Sequence, residues 1–125
     1  MVILPGTSGE MGILPRHAPV LTTLKFGVVR VRRASSDQLF AVAGGVAEVQ
    51  PDLVTVLADA AENVEEIDVK RAELARQRAQ EALAKGVPAG SDVMLSIEAA
   101  LRRSNLRLDV VRRYRKTQSP FPGKQ

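Results

Sequence analysis

Residues 101–116 hold seven bases, Arg102, Arg103, Arg107, Arg112, Arg113, Arg115 and Lys116, against one acid, Asp109. All but Lys116 are arginines, whose planar guanidinium offers a fork of N–H donors matched to phosphate and carboxylate oxygens. Such a cluster is suited to holding anions: a phosphate chain, an acidic protein surface or a nucleic-acid backbone. Other chemistry is scarce. The absence of cysteine excludes a disulfide framework, a thiolate metal site and a thiol nucleophile. His17 is the sole histidine, so no multi-His zinc motif exists. In a loop fixed by prolines, a lone His serves a local hydrogen bond more readily than acid–base catalysis. Gly44-Gly45 between two apolar runs reads as a turn or bulge rather than a phosphate loop. Neither a G-x-x-x-x-G-K-[ST] segment nor a carboxylate pair arranged to activate water is present, which argues against intrinsic ATP hydrolysis. The residues describe a binder, not a catalyst.

The charge is unevenly spread. The chain has 125 residues and a formal net charge of +4. Residues 1–61 balance five bases with five acids, so the whole excess lies in residues 62–125. The hydrophobic fraction of 45% supports a packed core, but aromatics make up only 3%, so that core must be built of Val, Leu, Ile and Ala. No apolar run approaches the roughly 18 residues of a membrane span. The N-terminus lacks a basic region followed by a long apolar stretch, so no signal peptide is read there and a reducing compartment is expected.

The elements that must position these residues change period midway. Met11–Leu14, Val20–Leu24, Val28–Arg32, Leu39–Ala43, Val46–Gln50 and Leu53–Leu57 are short, β-branched and bounded by turn signals. They predict an antiparallel sandwich over residues 1–61, with Pro15–Pro19 as a fixed loop. After Asp59 the chain turns helical. Asn63 with Glu66, or Asp59 with Glu62, offers a capping box, and the following stretch to Lys85 lacks Gly and Pro. Ala72, Ala75, Ala79 and Ala82 make a narrow stripe that lets another helix approach closely. Gly86–Gly90 ends this helix, and Ser91 or Asp92 can cap the next. There Val93, Ile97, Ala100/Leu101, Ser104, Leu108 and Val111 repeat at helical spacing. Residues 62–116 therefore predict an antiparallel two-helix hairpin, with residues 117–125 a disordered tail. The fold class is α+β, sheet first. An Ala-rich hairpin buries little apolar area, so it is expected to be marginally stable and able to move.

Three ordered segments carry a resemblance. Gly9-Glu10-Met11-Gly12-Ile13-Leu14-Pro15-Arg16-His17-Ala18-Pro19, then Phe40–Pro51, then Val54-Thr55-Val56-Leu57-Ala58-Asp59 resemble signatures of the epsilon subunit of F-type ATP synthases. The likeness runs from about Leu4 to Arg115 and implies the same order of sandwich and hairpin. Relative to that family, the chain is expected to lack the first N-terminal strands, and Arg16 stands where Gly is common. The resemblance implies a non-catalytic rotor subunit of the central stalk, peripheral on the cytoplasmic face of the cell membrane. Its partners would be the gamma subunit, the c-ring and, through the basic second helix, the catalytic beta subunits. Membrane association would be indirect, and the hairpin would brake ATP hydrolysis.

The resemblance also implies a ligand site. Ile67-Asp68-Val69-Lys70-Arg71-Ala72 matches the motif at which some bacterial epsilon subunits bind ATP, and the accompanying positions read Glu62, Arg78, Arg103 and Arg107. Arg71 and Arg78 lie two turns apart on one face, and Arg103 and Arg107 are at i, i+4. In a folded hairpin, four guanidiniums could surround a triphosphate, with Asp68 or Glu62 orienting an adenine amino group or ribose hydroxyl. ATP would be a regulatory ligand; no cofactor is required and no metal site is expected. The plainer alternative is that Asp68 and Arg71 form an ordinary surface pair and the arginines are solvated. Glu10 and His17 are candidate contacts with gamma and the c-ring, and Arg112, Arg113 and Arg115 with an acidic partner. A basic hairpin binding nucleic acid is the alternative function. It lacks the stacking aromatics of single-strand and RNA binders and leaves the three segments unexplained. An Arg-rich helix lying on anionic lipid is a weaker third.

Overall fold

A computed structural model describes residues 1–115; Lys116 and the tail expected over 117–125 lie outside the described residues. The chain divides into two compact units, Met1–Glu65 and the residues from Glu66 onward.

The first unit is an antiparallel sheet folded on itself. Its strands are β1 (Val2–Gly6), β2 (Gly9–Ile13), β3 (Val20–Arg32), β4 (Asp37–Gln50), β5 (Leu53–Ala58) and β6 (Ala61–Asn63). The order is β2-β1-β3-β4-β5, and β6 pairs with the first part of β4, Phe40 facing Asn63. Two differences from the expected strands have clear causes. Val20–Leu24 and Val28–Arg32 are one strand, as are Leu39–Ala43 and Val46–Gln50, because β3 and β4 pair along their length through Gly27 and Gly44-Gly45. And β1 was not expected, since Val2-Ile3-Leu4-Pro5-Gly6 is short and holds a proline. The β1–β3 register shifts between Ile3 and Gly6, an irregularity at which the missing Pro5 N–H costs no ladder bond.

The bend in β4 builds the core. Phe40 and Val42 face it before the glycines, Ala47 and Val49 after them. Strict alternation would put 42 and 47 on opposite faces. Gly44 and Gly45, with φ of 83° and 128°, break that alternation, so both halves of the strand contribute to one core with Leu4, Ile13, Leu24 and Val29. The core is aliphatic, as the composition required.

The loop over residues 14–19 is held by its own bonds. The His17 N–H donates to the Leu14 carbonyl at 3.2 Å, and the Arg16 N–H donates to Pro51 at 2.9 Å across the β4–β5 turn. Arg16 has a left-handed backbone, φ 64°, which a side-chain-bearing residue adopts only at a cost. Arg16→Gly is expected to stabilise the chain by about 0.5–1 kcal/mol, the relieved strain exceeding the extra freedom of an unfolded glycine. Thermal unfolding, with Tm rising by about 2–5 °C, checks this.

The border expected after residue 61 falls inside β6, so Glu62 belongs to a strand rather than to the hairpin. The expected capping boxes at Asp59 and Asn63 do not start the helix. The Asn63 Oδ1 instead accepts from the Glu65 N–H at 2.9 Å, closing a single 3₁₀ turn, Val64–Glu66. Helix α1 runs Val69–Ala84 with Asp68 as its N-cap, and α2 runs Asp92–Val110 with Ser91 as its N-cap. Gly86, at φ 87°, follows the last turn of α1. Ala72 and Ala79 are the buried residues of α1, and Ser104 and Val110 those of α2. The alanine stripe is as expected, but Val93 is 60% exposed, so the stripe on α2 does not begin there. Ser104 fits because its hydroxyl donates to the Ala100 carbonyl at 2.9 Å, and no buried side-chain N or O is left unpaired among the described residues.

Candidate functional site

The anion-binding candidates lie along the hairpin. After Val110 the helix widens into a π turn, Val111–Arg115, and there Arg115 Nη2 donates to the Ile67 carbonyl at 2.7 Å. This bond fixes the end of α2 beside the start of α1. Arg71 and Arg78 are exposed; Arg103 and Arg107 are half-buried.

The motif residues divide their work. Ile67 is buried, and Ala72 is buried in the alanine stripe. Asp68 Oδ1 accepts the Arg71 backbone N–H at 3.1 Å, which is an N-cap bond. The expected Asp68–Arg71 link is therefore real but runs to the backbone, leaving the Arg71 guanidinium out of it. Glu62 is half-buried in β6, in register with Ala41 in the first unit.

The interface candidates also separate. Glu10 is exposed on β2 opposite Pro5. His17 Nδ1 lies 2.7 Å from the Ala18 carbonyl, so its ring is engaged locally. Arg112 pairs with Asp109 on the surface, Arg113 is exposed, and Arg115 is half-buried on the Ile67 carbonyl. Among the described residues, no group of three or more His, Cys, Asp or Glu is placed to hold a metal ion, and no helix is long and apolar enough to cross a membrane.

Sequence reasoning missed two features. An open apolar groove of about 660 Å³ in the first unit is lined by Val29, Val31, Phe40, Val42, Val54 and Val56 among others. Its signal was present in the i, i+2 spacing of those residues. The Arg115–Ile67 bond had no such signal, because it joins residues 48 positions apart.

Comparison with known proteins adds family evidence to this geometry. Residues 1–64 match the family model "ATP synthase, Delta/Epsilon chain, beta-sandwich domain" and residues 65–112 match "ATP synthase, Delta/Epsilon chain, long alpha-helix domain". The ATP synthase epsilon chain of Bacillus licheniformis is 47% identical over 113 residues, covering 90% of this chain and 84% of that protein. That of Pelotomaculum thermopropionicum is 52% identical over 84 residues, 67% of this chain and 63% of the relative. A chain in the structure of the Euglena gracilis mitochondrial ATP synthase, OSCP/F1/c-ring in rotational state 1, shares the fold. Its TM-score is 0.58 at 21% identity, covering 94% of this chain and 69% of the other. With both units matched in order and nearly half of the aligned residues identical, the chain belongs to the ATP synthase delta/epsilon family.

Proposed function

We propose that the chain is a non-catalytic central-stalk subunit of an F-type ATP synthase, peripheral on the cytoplasmic face of the cell membrane. In this role the sheet unit docks on the gamma subunit and the c-ring, with Glu10 and His17 among its contacts, and couples ring rotation to the catalytic head. The hairpin regulates ATP hydrolysis through its basic second helix, which faces acidic segments of the beta subunits, and ATP acts as a regulatory ligand held by the hairpin arginines. The observation that carries the proposal is the order of matched domains, a neutral sheet followed by a basic hairpin. Physically, a neutral sheet docks by shape and apolar contact, while a basic hairpin senses charge.

Reconstitution tests this. The chain is expected to co-purify with the gamma subunit of its own complex and to lower ATP hydrolysis by the catalytic head. Removing the residues after Lys85 should relieve that inhibition while gamma binding survives. A chain that neither binds gamma nor changes the hydrolysis rate would overturn the proposal.

A further inference from the structure

The hairpin has little to hold it shut. The buried residues of α1 are two alanines, and those of α2 are one serine and one valine. Ala75, Leu83, Ile97, Leu101 and Leu108 are half-buried besides, so small and partly exposed side chains supply only a modest driving force against the entropy of fixing both helices. A single strong polar contact can then decide whether the helices stay paired.

Such a contact exists at the open end, away from the loop over residues 85–91. The Ile67 carbonyl lies one residue before the N-cap, outside the helical ladder of α1, whose first bond runs from the Ala72 N–H to Asp68. Ile67 itself is 3% exposed. Its carbonyl receives Arg115 Nη2 at 2.7 Å, a charge-assisted bond shorter than the ordinary N–H···O distance. The π turn over Val111–Arg115 contributes directly. Taking one more residue into a turn rotates the downstream side chains by about 100° around the axis, so Arg115 points where a regular helix would not send it. A widened turn that aims a guanidinium at a carbonyl 48 residues away is a built contact rather than a chance surface pair.

We propose that Arg115 is a latch: its bond to the Ile67 carbonyl holds the hairpin closed, and losing it lets α2 swing away from α1. This deepens the regulatory role given to the hairpin, since the latch closes on the first residue of the Ile67–Ala72 segment. Closure keeps together the two helices that carry the arginine pairs, Arg71 and Arg78 on α1 and Arg103 and Arg107 on α2; opening separates them. The end of α2 therefore controls whether the four guanidiniums act together.

The full chain has no cysteine, so a pair of introduced cysteines reports the opening cleanly. Glu73→Cys and Asn105→Cys, both at exposed positions, carry spin labels for distance measurement. Without further change a single short distance is expected. Arg115→Ala should raise the long-distance population about tenfold or more, the scale of one lost charge-assisted bond. It should also speed amide exchange in the first turn of α1. Arg115→Lys, which keeps a cationic donor, should restore part of the closed population, and Lys70→Ala, which removes a nearby exposed charge, should leave it intact. An unchanged distance distribution in Arg115→Ala would overturn the latch, as would equal opening by Lys70→Ala. The measurement needs no partner subunit. A hairpin that opens on loss of Arg115 while hydrolysis is unaffected upholds the latch and sinks only the regulatory role.

Discussion

Gly45→Val is expected to unfold the sheet unit. A Cβ on Gly45 would lie 2.3 Å from the Leu57 carbonyl oxygen and 2.7 Å from the Ala58 Cα, both backbone atoms of β5. No side-chain rotation relieves such a clash, so β5 must move away. Moving it breaks the ladder that pairs Gly45 with Ala58 through to Gln50 with Leu53. The residue also sits at φ 128°, where a β-branched side chain is strained whatever the space. Together these should cost on the order of 4 kcal/mol or more, within reach of the whole stability of a small domain, roughly 5–15 kcal/mol. Gly86→Ala separates the two causes. Gly86 is also left-handed, φ 87°, but an added Cβ there meets nothing within 4 Å. It should cost only about 1 kcal/mol. Urea unfolding followed by circular dichroism distinguishes them: a large loss of native signal in water for the first, a modest fall in midpoint for the second. Equal stability of both variants would mean that the approach of β5 does not depend on the glycine.

The same glycines show how far the sequence could be read. That Gly44-Gly45 reads as a turn or bulge followed from its place between two apolar runs. That the strand continues through it in unbroken register, with Val42 joining Ala47 and Val49 in one core, depends on the pairing of β3 and β5 on either side, which no local pattern encodes. The helix borders show the same division. Ser91 was legible as a cap because it directly precedes the apolar period, and it does accept the Met94 N–H at 3.1 Å. Asn63 and Asp59 looked equally suitable, yet the pairing of β6 with β4 claims residues 61–63 for the sheet and leaves Asp68 to cap α1. Local propensity was overridden there by a tertiary ladder. In the candidate site, the spacing of Arg71 with Arg78 and of Arg103 with Arg107 was visible on each helix. How the two helices pair was not, since it rests on contacts such as the Arg115–Ile67 bond between residues far apart in the chain.

Within that hairpin, Arg71→Ala and Arg103→Ala are each expected to weaken ATP binding by about 10–100-fold, the effect of losing roughly 1.5–3 kcal/mol of charge-assisted bonding to phosphate. The two should differ in kind. Arg71 is exposed, so its share is screened and should fade at high salt. Arg103 is half-buried, and its share should persist. Arg103→Lys keeps the charge but loses the planar fork, so it should recover only part of the affinity. Asp68 needs a finer pair of variants, because its carboxylate already caps α1 through the Arg71 N–H. Asn caps a helix about as well as Asp, so Asp68→Asn should keep the hairpin stable while removing the charge. Asp68→Ala should lose about 1 kcal/mol of helix stability as well. If ATP affinity falls only in Asp68→Ala, the residue acts through the cap alone; if it falls equally in both, the carboxylate itself meets the ligand. Calorimetric titration of ATP into the full chain, at low and high salt, resolves these cases. Arg71→Ala and Arg103→Ala that titrate like the parent would leave the four arginines as solvated helix charges, and the hairpin's response would then have to come from protein partners.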